Sequence, residues 1–369
     1  MLSGTTPNFT RWGGDIYESE IVRAVIHARA THIGKLRVET FGSAKPALQN
    51  RLAHGPNKIQ TWSQFLYRTS TILDIHNTAF ICPVWDDYGE VSGIYSPLPN
   101  RCEIVQYNDI PYLRYEFGDG KRAAVELDSC GILTKFQYRS DFFGEHNGAL
   151  TPTMELINIQ EQGIEEGVKN AATYRFMARL NNYLNEDDLA LERKRFSEKN
   201  FAGDGGGLLL FPNLYTDIKQ VDVKPWVVDA DQMKQIKDEV FDYYGVNDEI
   251  LQNKYSPETW AAFYEAVIES FAIQFSEVMT RMLFTFREQS QGNKVTATAN
   301  RLQYMSNADK LNVSSQMLDR GIMSINDVRE IWNLPPVEGG DQRIIRGEYY
   351  AADEKVGEES NNEEGNTDV

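Results

Sequence analysis

Gly321-Ile322-Met323-Ser324-Ile325-Asn326-Asp327-Val328-Arg329 runs on through Leu334-Pro335-Pro336 to Gly339-Gly340-Asp341. This stretch carries its own start and stop signals. Ser324 can cap a helix, and Asp327 stands three residues later, where the acid of a capping box belongs. Pro335 and Pro336 then end the helix, because proline lacks the N–H donor and disfavours helical backbone in the residue before it. The pattern predicts a short helix near 324–333, preceded by another near 307–320.

Working upstream, Ser256-Pro257-Glu258 opens the longest predicted helix: a cap, proline at the first helical position and an acid in the first turn. Placed at helical steps, Trp260, Tyr264, Val267, Ile268, Phe271, Phe275, Val278, Met279, Met282 and Phe286 fall on one wide arc, with Glu258, Glu265 and Glu269 opposite. The expected length is about 30 residues, near 45 Å. Residues 294–304 alternate like a strand. Before the long helix, Asp229 or Asp231 can cap a helix through Tyr244, with Met233, Ile236, Val240, Phe241 and Tyr244 as its apolar stripe and Gly245 closing it. Residues 246–255 read as an exposed loop.

In the first half, Ile16, Ile21, Val22, Val25 and Ile26 recur at helical spacing, and Lys35–Phe41 alternates like a strand. Residues 42–60 read as a loop. Thr61 caps a helix over 62–75. From 78 to 140, short β-branched and aromatic runs separated by turn signals (Thr78–Trp85, Gly93–Ser96, Glu103–Tyr107, Tyr112–Phe117 and Leu133–Tyr138) read as one small antiparallel sheet. Thr151-Pro152 starts a helix running towards Leu184, with Gly163 and Gly167 as weak points. A charged segment from Asn185 to Asn200 follows, then Gly203-Asp204-Gly205-Gly206-Gly207, a strand over Leu208–Phe211 and another over Ile218–Val223.

Composition narrows the function. The 369 residues carry a net charge of −17, which argues against a sequence-reading DNA binder with its basic footprint and against an acidic membrane surface. Asp353–Val369 holds seven acids and one lysine and reads as disordered. Cys82, Cys102 and Cys130 are far apart in sequence, so reduced thiols are expected rather than a disulfide framework or zinc site. Met1–Thr10 has no apolar signal core, and no window is apolar enough to span a membrane.

No chemistry assembles from the residues alone. His27, His32, His54, His76 and His146 lack metal-ligand spacing and read as surface or capping residues. The glycines at 205–207 precede a strand, whereas a phosphate loop precedes a helix. Asp86-Asp87 and Asp187-Asp188 read as solvated loop charges, with a two-metal nuclease site as the alternative. Arg193-Lys194-Arg195 reads as a mixed solvated face, with a partner-docking patch as the alternative. No catalytic, cofactor-binding or metal-ligating residue is expected. The chain reads as an acidic α+β protein with one unusually long helix.

The C-terminal string resembles the ending of tailed-bacteriophage portal proteins of the HK97-like family. Gly321, Asn326, Asp327, Arg329, Leu334, Pro335, Pro336, Gly339, Gly340 and Asp341 carry that resemblance. Gly55-Pro56-Asn57 with Thr61-Trp62-Ser63-Gln64-Phe65, the stretch Thr78 to Pro99, Gly148 to Pro152, Gly207–Phe211 and Phe241–Val246 agree with the family in the same order. Asn247 where the family has proline, and Thr151 where it has serine, depart from the pattern.

The resemblance implies a portal-type subunit: an α/β wing (1–150, with the long helix and strand 256–304), two stem helices (151–182 and 229–245), a small α/β clip (183–228) and a C-terminal helical crown region (305–352). Residues 246–255 would form a tunnel loop in which Asn247, Glu249, Gln252, Asn253, Lys254 and Tyr255 face double-stranded DNA in transit. Arg193, Lys194, Arg195, Leu209 and Phe211 would sit in the clip that docks partners. It further implies a twelve-membered ring at a capsid vertex of the virion, assembled in the host bacterial cytoplasm. The ring would contact the terminase large subunit, the head–tail adaptor and the major capsid or scaffold protein, with no membrane contact and no cofactor. The rivals are a metal-dependent nuclease and another head–tail connector or adaptor component.

Overall fold

The computed structural model describes residues 11–12, 14–118, 120–171, 176–180, 191, 194–195, 215–220, 229–299, 307–332 and 334–345. The chain divides into two compact units: residues 1–148 with 241–369, and residues 149–240.

In the first unit, the helix Glu20–Ile33 buries Val22, Val25, Ile26, Ala30 and Ile33, the face its apolar spacing predicts. The strand Arg37–Phe41 follows and pairs antiparallel with Lys294–Thr298 in the register Phe41↔Lys294 to Arg37↔Thr298. Residues 46–54 correct the expectation of a loop: Pro46 occupies the first turn of a helix to His54, and Leu48 and Leu52, one turn apart, are buried. The helix Trp62–His76 begins with a complete capping box, Thr61 accepting from the Gln64 amide and Gln64 from the Thr61 amide.

The segment 78–140 is two three-stranded antiparallel sheets rather than one. Thr78–Trp85 lies between Val91–Tyr95 and Gly131–Thr134, and Ile110–Glu116 lies between Cys102–Tyr107 and Arg122–Glu126. The strand Arg122–Glu126 was not expected, because its short side chains Ala123 and Ala124 give no β signal. The strand expected over Leu133–Tyr138 stops at Thr134, and Phe136 takes a left-handed backbone (φ 50°). Phe80, Cys102, Ile104, Leu113, Leu127, Cys130 and Phe143 fill one buried cluster.

The long helix is a rod of 27 residues, about 40 Å, in three parts: Pro257–Phe263, a π-helical stretch Tyr264–Glu269, and Ser270–Leu283. The wider π turn shifts the phase of the apolar stripe, so Trp260, Phe263, Tyr264, Val267, Ile268, Phe271, Phe275, Met279 and Leu283 are buried. The rod ends at Phe284, whose extended backbone leads into a new capping box, Thr285 with Glu288. Phe286 therefore belongs to the next short helix and is 82% exposed, a correction to its place on the buried arc. The helices Asn307–Asp319 and Ile325–Ile331 are the last in the described chain, and residues 334–345 follow without a helix.

In the second unit, the helix described over Thr151–Ala171 does not reach Leu184, because Phe176–Leu180 is a strand paired antiparallel with Tyr215–Gln220. Phe176, Met177 and Leu180 lie in a run whose apolar residues suit either period, so the sequence pattern does not separate this strand from the helix. Thr153 Oγ1 donates to Glu239 Oε2 at 3.2 Å, tying this helix to Ala230–Tyr244. The glycine run at 203–207, the strand expected over Leu208–Phe211 and the acidic tail lie outside the described residues.

Candidate functional site

Helix Ala230–Tyr244 is terminated by Gly245, whose φ of +66° is the left-handed conformation that a helix C-terminus favours. The segment after it is not the irregular loop that its polar composition suggested. Asn247 Oδ1 accepts from the Ile250 amide at 3.0 Å and caps a helical turn, Asp248–Leu251. Asp248 and Glu249 sit at the positive end of that turn, where acids are favoured. Val246 and Ile250 are buried and pin the segment down. Glu249 Oε2 accepts from Thr259 Oγ1 at 2.7 Å, and Lys254 Nζ donates to Gln252 Oε1 at 3.2 Å. Asn247, Glu249, Gln252, Asn253 and Lys254 are exposed. Tyr255 is instead half-buried, its ring 5.2 Å from that of Trp260 and 6.4 Å from His32. The presented face is a capped polar turn with two acids and one lysine.

The base of this turn rests on groups that sequence reasoning missed. His32 was expected at the surface, yet it is buried among Tyr255, Trp260 and Phe263. Burial, with the Lys35 ammonium beside it, lowers its pKa to about 4, so the ring is neutral. Nearby, Asp74 is buried and accepts from Arg29 Nε at 3.0 Å and from Lys135 Nζ at 2.8 Å. Arg29 also donates to the backbone carbonyl of Tyr244. Asn147 donates to the carbonyls of Asp74 and Ile75 and accepts from the Tyr243 hydroxyl at 2.8 Å. Burial pulls Lys135 below its ordinary range, opposed by Asp74. This network fixes the end of the 230–244 helix. A lone Asp inside an apolar helix face, Asp74 between Leu73 and Ile75, was its only trace in the sequence.

The C-terminal motif is a structural latch. Ser324 and Asp327 form the expected capping box, at 3.1 and 2.8 Å. Asn326 is its centre: it accepts from the Val337 amide, donates to the Val337 carbonyl and the Asp341 carboxylate, and its own amide donates to the Gly340 carbonyl. A Cβ on Gly340 would lie 2.4 Å from Asn326 Oδ1, so that position admits only glycine without rearrangement. Arg329 Nε donates to the Pro335 carbonyl at 2.7 Å, and the Leu334 amide to the Arg329 carbonyl. The motif residues thus spend their polar groups on one another.

Of the expected partner-docking residues, Lys194 and Arg195 are exposed on a helical turn, while Arg193, Leu209 and Phe211 lie outside the described residues. Asp187-Asp188 also lies outside them. Asp86 organises the turn between two strands, accepting from the Tyr88 and Glu90 amides, and pairs with Arg51 at 3.7 Å. Nothing there favours a nuclease. Among the described residues no group of three or more His, Cys, Asp or Glu is placed to hold a metal ion, and no helix is long and apolar enough to cross a membrane.

Comparison with known proteins gives a consistent answer. The model of the phage portal protein family matches residues 20–333. Comparison with curated protein sequences yields no match. Among solved structures, the fold resembles a chain from the neck of a native GTA particle computed with C12 symmetry (15% identity, 88% of this chain and 92% of that one, TM-score 0.58). It also resembles a chain of the virion of a native gene transfer agent particle (16%, 89% and 97%, TM-score 0.58). A third likeness is to an HK97 family phage portal protein from Corynebacterium diphtheriae (12%, 76% and 93%, TM-score 0.52). With a mixed helix-and-sheet fold shared with these structures and a family match over most of its length, the chain belongs to the phage portal protein family, the proteins of the capsid vertex.

Proposed function

We propose that twelve copies of this chain close into a ring through which double-stranded DNA is packaged into and ejected from a phage capsid. The observation carrying this reading is the portal family match, which runs unbroken through the 230–244 helix, the capped turn at 248–251 and the 257–283 rod. A closed ring needs head-to-tail interfaces, and a cyclic group supplies them. Portal proteins are structural rather than catalytic, so the energy for packaging comes from a separate motor.

In this reading, residues 1–150 and 256–304 are the wing, the helices near 151–171 and 230–244 the stem, and 305–352 the crown region. The strands Phe176–Leu180 and Tyr215–Gln220 belong to the clip, where Lys194 and Arg195 would meet the terminase large subunit and then the head–tail adaptor. The wing faces the major capsid or scaffold protein, and assembly takes place in the host bacterial cytoplasm. The turn 246–255 faces DNA. Its charge favours this: a strongly basic lumen would grip the duplex by counterion release, whereas Asp248, Glu249 and Lys254 nearly balance. The Asn247 cap and buried Ile250 anchor the turn.

A photo-reactive amino acid placed at Asn253 in DNA-filled particles tests this. Cross-linking to DNA from position 253, with none from Tyr138, an 85% exposed residue of the wing, is the expected result. Equal labelling from both positions, or none from 253, would remove the turn from the channel.

A further inference from the structure

The three cysteines, distant in sequence, meet in the fold. Cys102 and Cys130 belong to the buried cluster around Phe80, and Cys82 packs against it. None is in a disulfide. The Sγ atoms of Cys82 and Cys130 lie 3.9 Å apart. The antiparallel register between their strands runs from Thr78↔Thr134 to Ile81↔Gly131. One further step sets Cys82 opposite Cys130, whose backbone is extended (φ −101°, ψ 146°). Directly opposed cross-strand residues hold their Cβ atoms about 4.5–5.5 Å apart, against a mean of about 3.8 Å in a disulfide. Closure therefore needs an approach of about 1 Å. The strand Gly131–Thr134 pairs only with Thr78–Trp85 among the described strands, and the long helix holds it at the far end from Cys130, where Gln274 Nε2 donates to the Thr134 carbonyl at 3.1 Å.

Access is built in on one side. Cys82 lines an open, mainly apolar groove of about 620 Å³ with Ile59, Val84, Tyr95, Phe117 and Val125. Cys102, by contrast, donates its thiol to the Leu98 carbonyl at 3.4 Å.

We propose that Cys82 and Cys130 are a thiol pair that closes to a cross-strand disulfide when the protein meets a small-molecule disulfide of the glutathione type. The Cys82 thiolate attacks one sulfur of the reagent, and the first small thiol leaves. The Cys130 thiolate then attacks Cys82 Sγ in the mixed disulfide, and the second small thiol leaves. The protein loses two protons and two electrons, and the reagent takes them up as two thiols. The hydrogen bond to Cys130 and burial hold the Cys82 thiol well above its ordinary range, so exchange is slow at neutral pH and accelerates as pH rises. A protein made with reduced thiols in a cytosol and carried out on a particle meets the oxidising conditions that favour this bond.

The test is peptide mapping of the full-length protein after exposure to oxidised glutathione, with alkylation under denaturing conditions. The expected result is a mass about 2 Da lower, with the Cys82 and Cys130 peptides joined and only Cys102 alkylated. The reaction should run faster at pH 9 than at pH 7. Cys102→Ser should form the same bond and Cys82→Ser none. Three alkylated cysteines after prolonged exposure, a lasting glutathione adduct on Cys82 beside an alkylated Cys130, or any bond to Cys102 would each overturn the proposal. The map of the unmutated protein decides the question even if a variant fails to fold.

Discussion

Asn326 and Val337 exchange a pair of hydrogen bonds, the Val337 amide donating to Asn326 Oδ1 at 2.8 Å and Asn326 Nδ2 donating back to the Val337 carbonyl at 3.1 Å. One side chain thereby plays the part of a paired strand for the Pro335–Asp341 segment. Asn326→Asp keeps the shape and the acceptor but loses both donations and sets a carboxylate against that of Asp341. The expected cost is about 1–2 kcal/mol, seen as faster hydrogen exchange at the Val337 amide. Gly340→Ala should do the same by displacing Asn326. Protection unchanged in both variants would contradict the latch.

Asp74 compensates two cations, the buried Arg29 and the half-buried Lys135. Asp74→Ala leaves both uncompensated, and breaking a buried pair by removing one partner costs about 3–5 kcal/mol. Urea unfolding should show that loss. A cost near that of a surface substitution would mean that water already solvates the cations.

The end of the rod at Phe284 separates two aromatic residues that one continuous helix would bury together. Phe275 is fully buried and Phe286 is 82% exposed. Phe275→Ala should cost about 3–5 kcal/mol, whereas Phe286→Ala should stay within about 0.5 kcal/mol. Replacing both Phe271 and Phe275 by Asp should abolish folding, since each would bury an unpaired charge. Soluble, intact protein from that double variant would contradict the placement of the rod.

His32 makes stability depend on pH with a definite sign. Its folded pKa is lowered to about 4 from an ordinary 6.5. Between those values the unfolded chain binds a proton that the folded chain refuses, so stability falls as pH drops from 6.5 towards 4. His32→Phe keeps the aromatic packing and removes the proton site. The unfolding temperature of the natural protein should fall more steeply over that window than that of the variant. Parallel curves would show that His32 does not titrate as a buried neutral group.

Local signals were legible in the sequence. Thr61 and Ser324 announce their capping boxes, Gly245 its helix end, and Pro257 its helix start, because caps depend on residues a few positions apart. Pairings across long separations were not. Nothing in Arg37–Phe41 says that its partner is Lys294–Thr298, and nothing in three scattered cysteines says that two face each other. The π turn was invisible because a single inserted residue leaves most of the apolar arc in place, moving its buried edge only from Val278 and Met282 to Ala272 and Leu283. The helix at 46–54 was masked by its proline, read as a breaker when it stands at the first helical position. Asn247 sits in a polar run that predicts a loop, and it is a cap. The family string at 321–341 is recognisable, but the latch centred on Asn326 joins residues 11 to 15 positions apart and leaves no local spacing signal.

The central claim is a closed ring, and the direct measurement is the mass and shape of the purified protein by light scattering and class-averaged electron micrographs. Twelve copies of a 42.1 kDa chain give about 505 kDa, and the account predicts that mass with cyclic symmetry and a central hole. A stable monomer at every salt concentration, with no ring in the images, would contradict it.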